Sequence, residues 1–201
     1  ITKEFLLNDS KPESDGKIKL LFVGRLVPYK GADMLIEAIS QLDEAFQDQV
    51  TLTLVGDGSE KEKLTQQVKN LKLDSIVSFA GWVTQQETRR YYEQADIFCF
   101  PSVREFGGAV VLEAMACGLP CIVVNNGGIG EYVTEETGFK IDPHSREYVV
   151  EQLALKMTEL INQPNLKSEM SLKAVERVKT FVWENKGQNL LKFYQKLVSR
   201  E

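Results

Sequence analysis

Two glutamates, Glu105 and Glu113, stand eight positions apart in a stretch of the chain that is otherwise largely apolar. Carboxylates in such surroundings are costly to bury unless hydrogen-bond donors satisfy them, so we expect both to face a ligand or a compensating partner. Glycines between them open a predicted helix, whose first amides and positive dipole end suit a phosphate. The segment predicts a ligand with both hydroxyls and phosphate, as in a sugar joined to a nucleotide diphosphate. Its candidate residues are Glu105, Phe106, Gly107, Gly108, Ala109, Val110 and Glu113.

A second candidate is the loop at residues 24–31, which follows the first predicted strand and contains two cations, Arg25 and Lys30. A guanidinium and an ammonium at the carboxyl edge of a sheet can clamp a diphosphate, and Gly24 favours close approach of the backbone to a ligand. The same pattern also suits a solvated turn with two surface cations. The charges alone do not decide between these interpretations.

Glycines recur in two further loops. Gly56 and Gly58 follow the second predicted strand, but Lys61 stands where a dinucleotide fingerprint has its third glycine, so this signal is weak. We predict a tight turn instead, with Ser59 capping the next helix. Residues 125–131 are predicted to form a flexible, glycine-rich loop with one carboxylate. That loop either completes the pocket or only turns the chain.

The end of the third predicted strand combines a glycine, an aromatic and a β-branched residue, namely Gly81, Trp82 and Val83. Such a site can hold a flat base against backbone and apolar atoms. The alternative is that Trp82 is buried and packs the edge of the sheet.

Nucleophilic and metal chemistry have little support in the sequence. The only histidine, His144, stands in a predicted turn and is expected at the surface, so no Ser/His/Asp or Cys/His arrangement can be assembled. Cys99, Cys117 and Cys121 lie in apolar segments at a spacing that matches no common zinc pattern. We interpret them as reduced core residues, and we expect neither a metal nor a cofactor.

Short β-branched or aromatic runs alternate with stretches of helical period, which predicts βα units and a mostly parallel sheet. After Pro143 the pattern is nearly all helical, with breaks at Pro164 and near Trp183, and the last segment has an apolar side that can pack on its own domain or reach another. We predict an α/β, Rossmann-like sheet of about six parallel strands with helices on both faces and a helical C-terminal end. The domain is placed at residues 18–201, after a linker or N-terminal segment at residues 1–17. The strands are placed at residues 18–23, 51–55, 76–80, 97–100, 121–124 and 138–141.

Composition narrows the possible partners. The 201 residues are 43% hydrophobic, which is enough for a sizeable core. A net charge of −5 argues against a nucleic-acid partner, because binding the phosphate backbone needs a basic face. No apolar run approaches the roughly 18 to 20 residues of a membrane span, and no signal-peptide pattern opens the chain, so we expect a cytoplasmic protein.

Five motifs resemble, in order and in loop position, the carboxyl-terminal domain of family-4 retaining glycosyltransferases of the GT-B fold. The resemblance covers nearly the whole chain, and it is the order of the motifs that makes it specific. The motifs are Gly24-Arg-Leu with Lys30-Gly31, Val55-Gly-Asp-Gly58, Phe79-Ala-Gly81, the Glu105 and Glu113 pair running on to Gly118-Leu-Pro120, and Gly127-Gly-Ile-Gly-Glu131.

The resemblance implies a domain that binds a nucleotide-sugar donor without a metal. Arg25 and Lys30 would neutralise the diphosphate of the leaving nucleotide. Glu113 would hold the ribose hydroxyls, and residues 81–83 would flank the base. Glu105 would contact the donor sugar as a nucleophile, as an electrostatic stabiliser of an oxocarbenium-like transition state, or as a positioning group.

A GT-B enzyme has two Rossmann-like domains with the reaction between them, and this sequence resembles one. The resemblance therefore implies a longer polypeptide whose N-terminal domain holds the unknown acceptor and makes any peripheral membrane contact, so that the isolated domain is inactive. The expected donor is a UDP-, GDP- or ADP-sugar. The alternatives are another GT-B nucleotide-sugar enzyme, such as a 2-epimerase or a phosphorylase-like protein, or a non-catalytic nucleotide-binding domain.

Overall fold

The computed structural model describes residues 16–198, without the side chains of residues 184, 186, 189, 192 and 198. The predicted linker at residues 1–17 therefore lies almost entirely outside the described residues.

A single six-stranded parallel sheet organises the described part of the chain, as the alternating pattern predicted. Its order, β3-β2-β1-β4-β5-β6, places the first and fourth strands side by side at its centre. All six predicted strands are present, and two have slightly different bounds. The second strand begins one residue earlier than predicted, at Val50, because this residue pairs with Ile18, and the third strand is shifted by one residue. Ile76 lies just before its strand because its amide donates to the carbonyl of Leu73 in a turn, whereas a bulge brings Gly81 opposite Val55 and extends the strand. The strands are β1 (Ile18–Val23), β2 (Val50–Val55), β3 (Val77–Gly81), β4 (Ile97–Phe100), β5 (Cys121–Val124) and β6 (Gly138–Ile141).

Helices connect the strands and cover both faces of the sheet. The first helix packs against the third and the seventh, and the fifth helix packs against the fourth and the eighth. The α-helices of residues 16–198 are α1 (Ala32–Ser40), α2 (Glu44–Gln47), α3 (Lys61–Asn70), α4 (Gln85–Gln94), α5 (Ala109–Ala116), α6 (Gly127–Tyr132), α7 (Arg146–Asn162), α8 (Pro164–Val178) and α9 (Trp183–Val198).

The strands β1, β4 and β5 run between two helical layers and are therefore apolar along nearly their whole length, so their side chains form the middle of the core. The ring of Phe100 lies 5.7 Å from that of Phe22 and 5.9 Å from that of Phe98. The predicted core cysteines, Cys99, Cys117 and Cys121, are fully buried among these strands and α5, and no disulfide joins them. Burial raises the pKa of the Cys99 thiol to about 12, which keeps it protonated.

Two local predictions are wrong. Ser59 does not cap α3, because that helix begins at Lys61 with Glu60 before it, and the amide of Glu60 donates at 2.9 Å to the carbonyl of Leu26 in the loop after β1. A tertiary hydrogen bond thus sets the helix start. Residues 125–131 are not a flexible loop, since Gly127–Tyr132 form the short helix α6, which packs against α5 and β5.

The helical C-terminal end matches the sequence pattern. Helix α7 ends before Pro164, where α8 begins, and α9 starts at Trp183. Several apolar side chains of α9 are about half exposed or more, including Trp183, Leu190, Leu191, Phe193, Tyr194 and Leu197. Within residues 16–198, no helix combines the length and the apolar character that crossing a bilayer requires.

Strands β1 and β4 are neighbours, but the chain continues from β1 to β2 on one side of this pair and from β4 to β5 on the other. The loops that follow β1 and β4 therefore diverge and leave a crevice between them at the carboxyl edge of the sheet. Ligands of open α/β sheets bind at such a switch point. The two loops are residues 24–31, the predicted clamp loop, and residues 101–108, which include Glu105, Phe106, Gly107 and Gly108 of the predicted site.

Candidate functional site

The loops after β1 and β4 are joined directly by hydrogen bonds. The amide of Val103 donates at 2.9 Å to the carbonyl of Tyr29, and the hydroxyl of Ser102 donates to the same carbonyl at 3.3 Å. Tyr29 belongs to a single 3-10 turn, Pro28–Lys30, which ends one residue before α1. This connection places Lys30 against the loop that carries Glu105.

Lys30 and Glu105 form an ion pair, and each side chain is only 14% exposed. The ammonium of Lys30 also lies 5.0 Å from the centre of the Phe100 ring, an arrangement that favours a cation. The second carboxylate oxygen of Glu105 accepts the amide of Gly108 at 3.3 Å. Three of the predicted site residues are thus in direct contact.

The carboxylate of Glu105 is held in its charged form. Partial burial by itself would raise the pKa of Glu105, but the hydrogen bond and charge of Lys30, with the amides of Gly108 and Phe106, lower that pKa below its ordinary value. Glu105 therefore remains an anion at neutral pH. It can stabilise positive charge next to it or accept hydrogen bonds from hydroxyls.

Arg25 lies at the exposed side of the same crevice. Its guanidinium donates at 2.7 Å to the hydroxyl of Tyr29, which engages one of the five N–H donors that an arginine offers. The amide of Gly24 donates to the carbonyl of Val55 at 2.9 Å, so this glycine continues the sheet and does not present its amide to a ligand. Both cations of the loop therefore lie near Tyr29, since the ammonium of Lys30 is 5.7 Å from the centre of the Tyr29 ring.

The glycines after β2 fix the position of the loop that carries Arg25. A Cβ atom at Gly56 would stand 1.9 Å from the carbonyl oxygen of Gly24, and one at Gly58 would stand 2.3 Å from that of Leu26. The amide of Leu26 donates at 2.9 Å to the carbonyl of Asp57 across the same contact. The tight turn predicted here is therefore a backbone-to-backbone contact between two loops.

Glu113 lies half-buried in α5 and has a defined partner. The hydroxyl of Tyr92, in α4, donates to its Oε2 atom at 3.0 Å. A hydrogen-bond donor thus compensates this carboxylate among its apolar neighbours, as the sequence pattern required.

The start of α5 has the geometry that its glycines predict. Gly108 precedes the helix with a φ of +51°, a left-handed conformation that favours glycine. Ala109 is exposed, whereas Gly107 and Val110 are partly covered. Phe106 is 98% exposed, so its ring is fully available to a ligand or a neighbouring surface.

The predicted base shelf lies at the end of β3. The carbonyl of Gly81 accepts the amide of Gly56 at 2.8 Å, which ties the shelf to the glycine contact described above. Trp82 is 74% exposed, so the alternative that it packs the sheet edge as a buried residue is wrong. Val83 is partly buried against the core. Two strand spacings of about 4.8 Å separate β3 from β1, which puts the shelf about 10 Å from the loop with the cations.

Helix α6 supports the Glu105 loop from the other side. A Cβ atom at Gly127, whose φ is +54°, would stand 2.0 Å from the backbone carbonyl oxygen of Glu105. The amide of Gly128 donates at 3.2 Å to the carbonyl of Phe106, and the side-chain amide of Asn126 donates to the carbonyl of Val103. Of the two alternatives, this segment therefore does more than turn the chain, because it holds the Glu105 loop in place.

The sequence pattern also makes predictions about His144 and about a metal site. His144 is exposed, as expected, and lies beside the ring of Tyr148 at 4.8 Å between centres. Among residues 16–198, no three histidine, cysteine or acidic side chains are grouped so that they could hold a metal ion.

The sequence did not predict the contacts of three residues at the site, Tyr29, Tyr92 and Asn126, although Tyr29 and Asn126 lie within predicted candidate loops. Tyr29 and Asn126 both bind the loop after β4 from other loops that are distant in sequence, and the sequence gives no signal for these contacts. Tyr92 left a trace, because it lies four positions after Thr88 on the buried side of an otherwise polar helix. A tyrosine in a buried stripe usually needs a hydrogen-bond partner, and Glu113 is an acceptor.

The sheet order and the site at its switch point define a Rossmann-like α/β domain of the kind that forms one half of a GT-B glycosyltransferase. The chain belongs to the family described as glycosyl transferases group 1, whose model matches residues 5–177. It is 29% identical over 187 residues to a D-inositol 3-phosphate glycosyltransferase of Kribbella flavida, covering 89% of this chain and 43% of that protein. An uncharacterized glycosyltransferase of Methanocaldococcus jannaschii is 32% identical over 198 residues, with 98% of this chain and 52% of that protein covered.

Solved structures share the fold. HepE from Anabaena, in complex with UDP, is 26% identical with a TM-score of 0.78, covering 90% of this chain and 49% of that one. The C-terminal domain of a glycosyl transferase group 1 family protein from Francisella tularensis is 27% identical with a TM-score of 0.73, covering 82% of this chain and 86% of that domain. The chain spans about half the length of the curated relatives it matches.

Proposed function

We propose that this chain is the donor-binding domain of a glycosyltransferase that transfers a sugar, with retention, from a nucleotide diphosphate. Lys30 and Arg25 bind the diphosphate and stabilise the charge of the leaving nucleotide without a metal. Glu113 accepts hydrogen bonds from the ribose hydroxyls, and Gly81, Trp82 and Val83 flank the base. Residues 106–110 offer backbone amides and a positive helix end to the donor.

The observation that carries this proposal is the contact between Lys30 and Glu105 at the switch point of the sheet. It brings a cation suited to phosphate next to a carboxylate suited to the reacting sugar. Glu105 would stand beside the anomeric carbon, where its pKa, lowered in part by Lys30, keeps it anionic as an oxocarbenium-like charge develops.

The nature of the donor is supported by the relatives. HepE from Anabaena has been solved with UDP and with UDP-glucose, and it is 26% identical to this chain. A uridine nucleotide is therefore the first donor to test, followed by the guanosine and adenosine equivalents. We further propose that a second, N-terminal domain of the same polypeptide supplies the acceptor site, because the curated relatives are about twice as long as the region they share with this chain.

Calorimetry of the chain with UDP, GDP, ADP and their glucose conjugates tests the binding role directly. We expect one base to be preferred, with chemical-shift changes at residues 24–31 and 105–113. Failure to bind any of these ligands at millimolar concentration would refute the proposal. Product analysis with the full-length polypeptide then tests retention of the anomeric configuration.

The diphosphate clamp has a separate test. Arg25→Ala and Lys30→Ala should each weaken the nucleoside diphosphate about tenfold or more, because a hydrogen bond to a charged group typically contributes about 1.5–3 kcal/mol. Binding of the corresponding nucleoside should change little. Arg90→Ala, an exposed arginine on α4, is the matched control for the loss of one positive charge. Equal losses for nucleoside and nucleoside diphosphate would contradict the assignment.

A further inference from the structure

Tyr92 is a fully buried tyrosine whose hydroxyl reaches the candidate site from within the core. Its side chain is 0% exposed, and its ring packs edge-on against Phe98 with 5.8 Å between the ring centres. The hydroxyl donates to Oε2 of Glu113 at 3.0 Å. A phenol oxygen stands at a fixed distance from its ring, so a ring fixed by packing also fixes the position of the donor.

We propose that Tyr92 is a positioning residue, which holds the carboxylate of Glu113 in the orientation that accepts hydrogen bonds from the ribose hydroxyls of a nucleotide. This inference rests on the proposed function, because it concerns the group that Glu113 binds. Tyr92 would then affect the preference for ribose although it is buried and does not itself contact the nucleotide.

The geometry gives the reason. Glutamate has several rotatable bonds, so an unattached carboxylate has to be ordered each time a ligand binds. The hydrogen bond from Tyr92 removes that freedom in advance, which is how preorganisation improves affinity. It occupies one acceptor position on Oε2 and leaves the rest of this acceptor-only group to hydroxyl donors.

The protonation of Tyr92 is consistent with this role. Burial, together with the charge and hydrogen bond of Glu113, raises the pKa of the Tyr92 phenol well above its ordinary value. The hydroxyl therefore keeps its proton over the physiological range and remains a donor. The carboxylate of Glu113 therefore keeps the Tyr92 hydroxyl as its hydrogen-bond donor throughout this range.

A purely structural role for Tyr92 is the competing explanation, in which the hydroxyl only satisfies a carboxylate among apolar side chains. Both explanations predict that Tyr92→Phe lowers the stability of the domain. They differ in ligand selectivity, because only the positioning role connects this hydroxyl to the ribose. The discriminating probe is therefore a pair of ligands that differ only in the ribose hydroxyls.

The experiment compares UDP with 2′,3′-dideoxy-UDP by calorimetry, using the chain and its Tyr92→Phe variant. We expect the unsubstituted chain to prefer UDP by about tenfold or more, given the typical strength of hydrogen bonds to charged groups. Tyr92→Phe should reduce this preference to about threefold or less while leaving the affinity for the dideoxy ligand within about twofold, since only the ribose contact is loosened. If UDP binds weakly, GDP or ADP with its own dideoxy analogue replaces it.

Two further variants complete the design. Tyr91→Phe is the matched control, because the neighbouring tyrosine lines a cleft with Lys19 and Thr51 near the amino ends of β1 and β2. It should leave the ribose preference unchanged. Glu113→Asp keeps the charge in a half-buried position but withdraws the carboxylate by one methylene, so it should also lose most of the preference, and this variant serves if Tyr92→Phe does not fold.

The possible results distinguish a failure of the proposed function from a failure of the positioning role of Tyr92. If the unsubstituted chain binds none of the nucleotides, the proposed function fails. If it prefers the ribose ligand and a folded Tyr92→Phe variant keeps the full preference, the positioning role is overturned while the proposed function stands. Full preference in Glu113→Asp would overturn it as well, because the location of the carboxylate would then not matter.

Discussion

Replacing Glu105 by glutamine should tighten the binding of a nucleoside diphosphate while making the domain less stable. The substitution removes the negative charge that Lys30 contacts and keeps the size of the side chain. A diphosphate that reaches Lys30 must share its ammonium with Glu105 and must approach that carboxylate closely. In Glu105→Gln the phosphate meets the same ammonium without a competing anion.

The size of the effect follows from the geometry. Two unit charges about 5 Å apart repel by about 3 kcal/mol at an effective dielectric constant of about 20, and by about 1 kcal/mol in bulk water. The two side chains of the pair are each 14% exposed, which places the site between these limits. We expect a gain of about 1.4 kcal/mol, or about tenfold in affinity. Loss of the ion pair should lower the free energy of unfolding by about 1–2 kcal/mol, between the values for surface and buried pairs.

Calorimetry at constant ionic strength measures the first effect, with UDP and with inorganic pyrophosphate as a ligand that has no base, and urea denaturation measures the second. Glu159→Gln is the control, because it removes one negative charge from the Lys156 and Glu159 pair of α7, whose side chains are about one-third exposed. This control should leave the affinity unchanged. Unchanged or weaker binding of both ligands by Glu105→Gln would refute the reasoning, since Glu105 would not then compete for Lys30.

Two further predictions concern the same loop. The pKa of Glu105 is lower in the folded protein than its ordinary value of 4.5, so the stabilisation from its ion pair is fully present above pH 4.5 and is lost as the pH falls through the lower folded value. The difference in unfolding free energy between the unsubstituted chain and Glu105→Gln should therefore be constant at neutral pH and shrink in acid, as urea denaturation across this range would reveal. Gly127→Ala should destabilise the domain by about 1–3 kcal/mol more than Gly16→Ala, because both require a left-handed backbone but only Gly127 has a carbonyl oxygen in the way. Equal unfolding free energies for these two variants would show that α6 does not hold the Glu105 loop.

The sheet was predictable from the sequence because its strands are short apolar runs bounded by turn residues. The central strands are buried on both faces, so the type of each element did not depend on details of packing. The deviations arose where a distant part of the chain decides the outcome. Gly81 belongs to β3 because of a bulge opposite Val55, and α3 starts where the loop after β1 binds Glu60.

The site was predictable as a set of chemical groups but not as an arrangement. Lys30 was assigned to phosphate from its charge and loop position, and Glu105 was assigned to the donor sugar from the family resemblance; both roles stay predictions. Their mutual contact joins residues 75 positions apart, which no local pattern encodes. The contacts of Tyr92 with Glu113 and of Asn126 with Val103 also join residues distant in sequence, so they could not be predicted either. The glycines of both supporting loops were visible in the sequence, although not the carbonyl groups against which they pack.

The glycine contact between the loops after β1 and β2 has a consequence for exchanging parts among related enzymes. Gly56 and Gly58 meet the carbonyls of Gly24 and Leu26 backbone against backbone, so no flexible side chain lies at this contact to absorb a mismatch. A graft of one loop alone would displace Arg25 together with the phosphate it is proposed to hold. Residues 24–31 and 55–60 should therefore be transplanted as one module, whereas the exposed Trp82, which is proposed to flank the base, can be varied by itself.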